Sequence, residues 1–146
     1  MACQKVVNNA FHRQDWPTNQ TVEIEIDRAQ LGSKAGIFLW KNKDGMIQTM
    51  RDILQQEYDE LFQQDPQSLN HRKFIIPGII HSTFLRFGQV PETDGEVVQK
   101  RFSEIQNLIK ETFGTLRVNS VRLAIERTPY MHIPCNDRHV LASFEF

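Results

Sequence analysis

Two short stretches near the start of the chain carry hydrophobic patterns typical of β-strands, the first alternating with polar residues and the second continuous. In the first stretch, Val22, Ile24 and Ile26 alternate with acidic residues, which predicts a strand with one buried face and one solvent face. The second stretch, residues 37–40, is fully apolar and predicts a central strand. Residues 1–20 are polar and show no period, so they predict an N-terminal arm or loop.

Two longer segments repeat their apolar residues at helical spacing. Residues 46–62 predict a helix, with Asp44 as its candidate N-cap and Asp65-Pro66 as its end. The residues on its apolar face are Met46, Met50, Ile53, Leu54, Tyr58 and Leu61. A second helix is predicted from a capping box over residues 93–96 to Gly114. Its apolar face carries Val98, Phe102, Ile105 and Ile109.

Alternation returns in the middle of the chain and at its C-terminal end. It predicts strands over residues 80–87, 121–127 and 139–146. The predicted order of elements is therefore β-β-α-β-α-β-β. This order favours an α+β fold, a two-layer sandwich in which two main helices pack on a mostly antiparallel sheet. We expect residues 21–146 to form a single domain of this kind.

The composition of the chain indicates which binding partners and which cellular compartment are expected. The chain has 146 residues, of which 40% are apolar, and 17 basic against 18 acidic residues give a net charge of −1. That balance argues against a broad basic surface for duplex DNA. No apolar stretch approaches the roughly 20 residues of a membrane span, and the N-terminus lacks the apolar run of a secretory signal. Cys3 and Cys135 lie in no metal-binding spacing, so we expect ordinary thiols in the reduced cytoplasm.

The most informative chemistry lies on the predicted middle strand, at His81 and Thr83. Side chains two residues apart on a strand project to the same face, about 7 Å apart. An imidazole exchanges protons near neutral pH and a hydroxyl donates a hydrogen bond, so the pair is suited to hold a phosphate group. A strand that carries an ordinary histidine, satisfied within the fold, explains the same pattern.

The segment His81-Ser82-Thr83-Phe84-Leu85 resembles the His-x-Thr/Ser signature of the 2H phosphoesterase superfamily, the 2′,5′-RNA ligase-like proteins. The order of elements over residues 20–146 is similar to one lobe of that family. In the family, two such motifs face each other, and their histidines act as general base and general acid. The resemblance implies a metal-independent phosphoesterase without a cofactor, with His81 as the acid/base group and Thr83 holding the phosphate. The implied substrate is a 2′,3′-cyclic nucleotide, an RNA-end cyclic phosphate or a related phosphodiester.

The chain departs from the family because it carries one such motif. The histidines without Thr or Ser two residues later are His12, His71, His132 and His139. Three explanations are open: a homodimer brings two copies of the motif together, another residue supplies the second proton-transfer group, or the chain is a partial or degenerate lobe. In the last case the alternative function is a non-catalytic domain that binds a nucleotide, an RNA end or a protein partner.

Three further residues are candidates for substrate binding. Arg122 has the charge to hold a phosphate, Tyr130 lies on a loop before the last strand, and Trp40 has a ring on which a base can stack. Ordinary surface or core roles explain each of them as well. Arg86 is set aside because strict alternation places it on the face opposite His81. No metal site is expected, because the acidic side chains near the N-terminus alternate with apolar ones as on a solvent face.

Overall fold

The computed structural model describes the chain except for residues 1, 19, 33, 72–74, 89–94 and 125–139. In this described part, three α-helices, α1 to α3, span Ala2–Phe11, Met46–Gln64 and Gly95–Phe113, and a short 3-10 helix spans Pro66–Leu69. Six strands, β1 to β6, span Val22–Leu31, Ala35–Asn42, Ile80–Arg86, Thr115–Val118, Ser120–Ala124 and Val140–Glu145. The α+β class is confirmed, and the predicted order holds apart from the additional α1 and β4.

The described residues group into two compact units. The first comprises Met1–Val22, Gly45–Pro77 and Val118–Phe146, and the second comprises Glu23–Asp44 and Gly78–Arg117. The single domain over residues 21–146 stays a prediction. No helix of the described part is both long enough and apolar enough to cross a membrane.

Helix α1 occupies part of the segment whose polar pattern predicted an arm or loop over residues 1–20. Its buried residues are Val6, Val7 and Ala10, and the two asparagines between them are exposed. The structure differs from the prediction because burial of one apolar face outweighs the weak helix propensity of asparagine.

The core of the first unit joins α1, α2 and the first residue of β1. Its buried cluster consists of Ala10, Trp16, Val22, Met50 and Ile53. The Trp16 ring contacts Phe11 and Phe144, with ring centroids 4.9 and 5.7 Å apart. Phe144 lies on β6, which pairs antiparallel with β5. Apolar burial of this kind is the main stabilising contribution in the unit.

Arg13 stabilises the turn that follows α1 through three side-chain hydrogen bonds. Its Nε and Nη2 donate to the two carboxylate oxygens of Asp15, each at 2.8 Å, and its Nη1 donates to Glu57 of α2 at 3.1 Å. The hydrogen bond from Arg13 holds the pKa of Asp15 below its ordinary value. This bidentate geometry orders the turn that carries Trp16 into the core.

Helix α2 begins at Met46, as its apolar period predicts, and buries Met50, Ile53 and Tyr58. The N-cap position is occupied by Gly45, in a left-handed conformation with a φ of 75°, and not by Asp44 as predicted. Glycine adopts this conformation without the steric cost that a Cβ imposes.

The second unit is built on a four-stranded antiparallel sheet with the strand order β3-β2-β1-β4. Phe102 of α3 is buried against this sheet, as the helical period predicts. Ile105, which the same period places on the buried face, is 48% exposed. Phe102 is the buried residue of α3, and Val98 and Ile109 of the same apolar face are half-buried.

Candidate functional site

His81 and Thr83 lie on β3, at one edge of the four-stranded sheet as far as the described residues define it. β3 pairs antiparallel with β2, so that His81 is opposite Leu39 and Thr83 is opposite Ile37. Residues directly opposite each other in such a pair project to the same face. The exposed His81 and the half-buried Thr83 therefore share one face, as predicted, with Ile37 and Leu39. We call this side of the sheet the His81 face.

Aromatic rings hold β3 in place from the other side of the sheet, the aromatic face, which carries Phe38 and Phe84. The Phe84 ring stacks on Phe38 and on Phe102 of α3, with ring centroids 4.1 and 5.4 Å apart. Because these ring contacts pack β3 against β2 and α3, His81 and Thr83 are presented from a paired strand rather than from a loop.

Trp40 belongs to the aromatic face. It lies opposite Ile80 in the pairing of β2 with β3, and its indole Nε1 donates to Ser82 Oγ at 3.0 Å. Successive residues of a strand project to opposite faces, so Trp40 and Leu39 point to different sides of the sheet. The structure therefore does not bring Trp40 together with His81.

A β-bulge interrupts the alternation of β3 at Phe84. Thr83 lies opposite Ile37, whereas Leu85 lies opposite Gly36, so Phe84 is an extra residue in the strand. A Cβ built on Gly36 would lie 3.0 Å from Phe84 Cζ and 3.4 Å from Leu85 Cβ. Two consecutive side chains of β3 therefore project to the aromatic face, and the face of every later position is inverted.

This inversion carries Arg86 onto the His81 face. Arg86 lies opposite Ala35, which projects to the same face as Ile37 two residues later. The expectation that Arg86 lies on the opposite side from His81 is wrong because of the extra residue. Its exposed side chain joins those of His81 and Thr83 on one surface. The sequence signal for this arrangement is the pair of consecutive apolar residues after Thr83.

Strand β1 adds two polar side chains to the His81 face. A second bulge, at Asp27, places Arg28 opposite Leu39 and Gln30 opposite Ile37. Arg28 is exposed, and its Nη1 donates to Asp27 Oδ2 at 3.1 Å. Neither residue was predicted as part of the site, although the apolar positions of β1 change from even to odd numbers at this bulge.

The acidic residues of β1 pair with basic side chains. Glu25 accepts from Lys41, with Oε1 and Nζ 3.0 Å apart, and also from Lys43. The hydrogen bonds from Lys43 and Lys41 hold the pKa of Glu25 below its ordinary value. Glu23 lies 3.4 Å from Arg117 Nε. Among the described residues, no group of three or more His, Cys, Asp or Glu side chains is placed to hold a metal ion.

The remaining candidates for substrate binding do not lie on β3. Arg122 lies on β5 in the first unit, opposite Ser143 of β6, and its side chain is exposed. Tyr130 lies outside the described residues. Their roles in substrate binding stay predictions.

The other four histidines lie either in the first unit or outside the described residues. His12 and His71 belong to the first unit, where His12 Nδ1 lies 2.7 Å from the Asn8 carbonyl oxygen in α1. His132 and His139 lie outside the described residues. His81 is therefore the one described histidine that lies on a strand.

The His81 face brings together an imidazole, a hydroxyl and a guanidinium on one strand, with a second guanidinium and an amide two strands away. All five groups can donate hydrogen bonds to an anion, and the same register places the Glu25 carboxylate, paired with Lys41, on this face as well. No protein-family model, curated protein or solved structure matches the chain.

Proposed function

We propose that the protein is a metal-independent phosphoesterase that acts on a 2′,3′-cyclic nucleotide, an RNA-end cyclic phosphate or a related phosphodiester. His81 transfers the proton, and Thr83 holds a phosphate oxygen. The observation that carries the proposal is the presentation of this imidazole and this hydroxyl on one accessible face of β3. The proposal also agrees with the resemblance of residues 81–85 to the 2H phosphoesterase signature.

Hydrolysis of a cyclic phosphate forms one P–O bond and breaks another. A base takes a proton from the attacking water, and an acid gives a proton to the ribose oxygen that leaves. Imidazole performs either role near neutral pH, and the Thr83 hydroxyl donates a hydrogen bond to a non-bridging oxygen. A single His81 fills one of the two roles in a given step, so the reaction needs a second proton-transfer group.

A second copy of the chain is the source that we favour for this group. In the described part of the sheet β3 is an edge strand, and an edge strand offers backbone groups for pairing with another chain. Antiparallel pairing of two β3 strands about a two-fold axis would bring a second His81 to the same site. Such a homodimer would supply acid and base from identical residues.

The expected partner is a small phosphodiester or an RNA end. A net charge of −1 makes duplex DNA a poor partner, because its binding depends on many basic contacts to phosphates. We place the protein in the cytoplasm, where a reducing environment suits the free, exposed thiol of Cys3.

Replacing His81 by alanine tests the proposed chemistry. Loss of an acid/base group is expected to lower turnover by about 100-fold or more, and the fold should remain intact because the side chain is exposed. The assay follows 2′,3′-cyclic AMP hydrolysis in EDTA, with NMR of the imidazole signals during titration with 2′-AMP. His12→Ala, in α1, is the matched control. A folded His81→Ala protein with wild-type turnover would refute the proposal.

Mixing wild-type and His81→Ala chains tests the two-copy site. If each site needs two His81 side chains, a mixed dimer is inactive, and activity per wild-type chain falls to about half in an equimolar, fully exchanged mixture. Light scattering establishes the oligomeric state in the same samples. Activity that simply follows the amount of wild-type chain would contradict a shared site.

The alternative function is a non-catalytic domain that binds a nucleotide, an RNA end or a protein partner. It is favoured by the observation that, of the described histidines, His81 alone lies in the second unit. A shift of the His81 signals with 2′-AMP but without turnover supports this alternative. A shift accompanied by turnover in EDTA supports the phosphoesterase.

A further inference from the structure

Strand β1 carries a guanidinium and a carboxylate side by side at its β-bulge. We propose that Arg28 and Asp27 bind the edge of a guanine base, so that the preferred substrate is guanosine 2′,3′-cyclic phosphate or an RNA end that terminates in guanosine. This inference rests on the proposed function, because it needs His81 and Thr83 to hold the phosphate, and it adds the identity of the base.

The register of the sheet sets the distance between the phosphate site and Arg28. Leu39 of β2 lies opposite His81 on one side and opposite Arg28 on the other. Neighbouring strands are about 4.8 Å apart, so the backbones at His81 and Arg28 are separated by about 10 Å. This separation is comparable to the distance from the phosphate to the far edge of the base in a nucleotide. A ligand held at His81 can therefore reach Arg28 with its base.

The surface between the two polar strands is apolar. Ile37 and Leu39 of β2 project to the His81 face and are half-buried. Ligand sites usually combine apolar side chains with a few polar groups that fix the orientation of the ligand. A base that lies on Ile37 and Leu39 presents its edge to β1, which carries the hydrogen-bonding groups.

The Asp27 carboxylate lies on the same side of the sheet as Arg28. Asp27 is the extra residue of the β1 bulge, and its Oδ2 accepts from Arg28 Nη1 at 3.1 Å. Its charge also contributes to the raised pKa of Lys41, whose main cause is the hydrogen bond to Glu25. Arg28 and Lys41 both project to the His81 face, so a carboxylate close to both lies there as well. Glu25, another carboxylate on this face, is bonded to Lys41 and Lys43.

A guanidinium beside a carboxylate matches the edge of guanine. Guanine offers two acceptors, O6 and N7, to which an arginine donates two hydrogen bonds. It also offers N–H donors at N1 and at the exocyclic N2, from which an ionised carboxylate accepts. Adenine has an amino group in place of O6 and an acceptor at N1, so Arg28 would meet a donor and Asp27 would meet an acceptor.

The first test measures dissociation constants for 2′-GMP and 2′-AMP by NMR titration, with thermal unfolding as the check of fold. We expect the wild type to bind 2′-GMP about tenfold more tightly than 2′-AMP, and Arg28→Met, which has no donor, to bind the two equally. Arg101→Met on α3 is the matched control, because Arg101 is also exposed and paired with a nearby carboxylate, and it should keep the preference. Equal binding by the wild type, or a preference that survives in folded Arg28→Met, would overturn the inference.

Exchanging the hydrogen-bonding groups provides a second test. Glutamine binds adenine through N6 and N7, so Arg28→Gln should shift the preference toward 2′-AMP. Asp27→Asn replaces a carboxylate oxygen by a donor and should weaken the binding of 2′-GMP more than that of 2′-AMP. Unchanged preferences in both folded variants would overturn the inference.

Turnover separates the inference from the proposed function. A guanine preference that depends on Arg28, without hydrolysis of 2′,3′-cyclic GMP in EDTA, would support the base site and refute the phosphoesterase. Hydrolysis of 2′,3′-cyclic GMP and 2′,3′-cyclic AMP with equal kcat/KM would support the phosphoesterase and overturn the base site. Failure of the wild type to bind either nucleotide would refute both.

Discussion

Gly36 is the residue on which the packing behind the His81 face most directly depends. An added Cβ would lie 3.0 Å from Phe84 Cζ and 3.2 Å from Phe102 Cε2, closer than van der Waals contact allows. We expect Gly36→Ala to lower the free energy of unfolding by about 1–3 kcal/mol, because the stacked rings must shift. Urea denaturation followed by circular dichroism measures the change.

Gly78→Ala is the control for this prediction. A Cβ at Gly78 would meet no atom within 4 Å, so the expected change is within about 0.5 kcal/mol. Equal stability of the two variants would show that the Phe84 ring moves aside at little cost.

The ion pairs of Glu25 make the stability of the second unit depend on pH in the acidic range. Its pKa is lowered in the folded protein by hydrogen bonds from Lys43 and Lys41, and these bonds are absent in the unfolded chain. The resulting stabilisation is present above the ordinary carboxyl pKa and is lost as the pH falls through the lower, folded-state value. Glu25→Gln should therefore be less stable than the wild type at neutral pH and equally stable in strong acid.

Denaturation of both proteins between about pH 6 and pH 2 measures this difference, which is expected to disappear below the folded-state pKa. Glu60→Gln on α2 is the control, because Glu60 accepts from the neutral amide of Gln56. A difference between wild type and Glu25→Gln that stays constant over the whole pH range would contradict the role of the two lysines.

At the scale of single elements, the period of hydrophobic residues predicted the positions of most strands and helices. The pairing of the strands determined on which face of the sheet each side chain lies. The alternation of His81 and Thr83 was sufficient to place both on one face. The bulges at Asp27 and Phe84 were not predicted, because a bulge is defined by the partner strand and not by the strand itself. For that reason Arg28 was missed, and Arg86 was placed on the wrong face of the sheet.

The helices also show how far a local hydrophobic pattern can predict structure. The period of α2 was long and regular, and Met50, Ile53 and Tyr58 are buried as it requires. Helix α1 has only a short apolar stripe, and its asparagines favour turns in isolation. It forms beside α2, where Val6 joins the buried cluster that includes Tyr58. The local hydrophobic pattern of a segment cannot predict a helix whose stability depends on packing against a neighbouring helix.

At the scale of the whole molecule, the α+β class followed from the sequence, as did the order of elements apart from α1 and β4, because turn residues separate most strands and helices. The candidate site followed only in part. His81 and Thr83 are neighbours along the chain, so local geometry fixed their relation. Trp40 is distant in sequence, and its side of the sheet depended on the register of β2 with β3.

The bulge at Phe84 also affects how relatives of this surface should be sought. An unbulged strand needs the spacing His-x-Thr-x-Arg to align three side chains, whereas this chain attains the same alignment with His-x-Thr-x-x-Arg. The two motifs differ by one inserted residue, yet both place the same three side chains on one face of a strand. A comparison that matches residues column by column treats them as different, but a comparison of which groups share a surface treats them as the same.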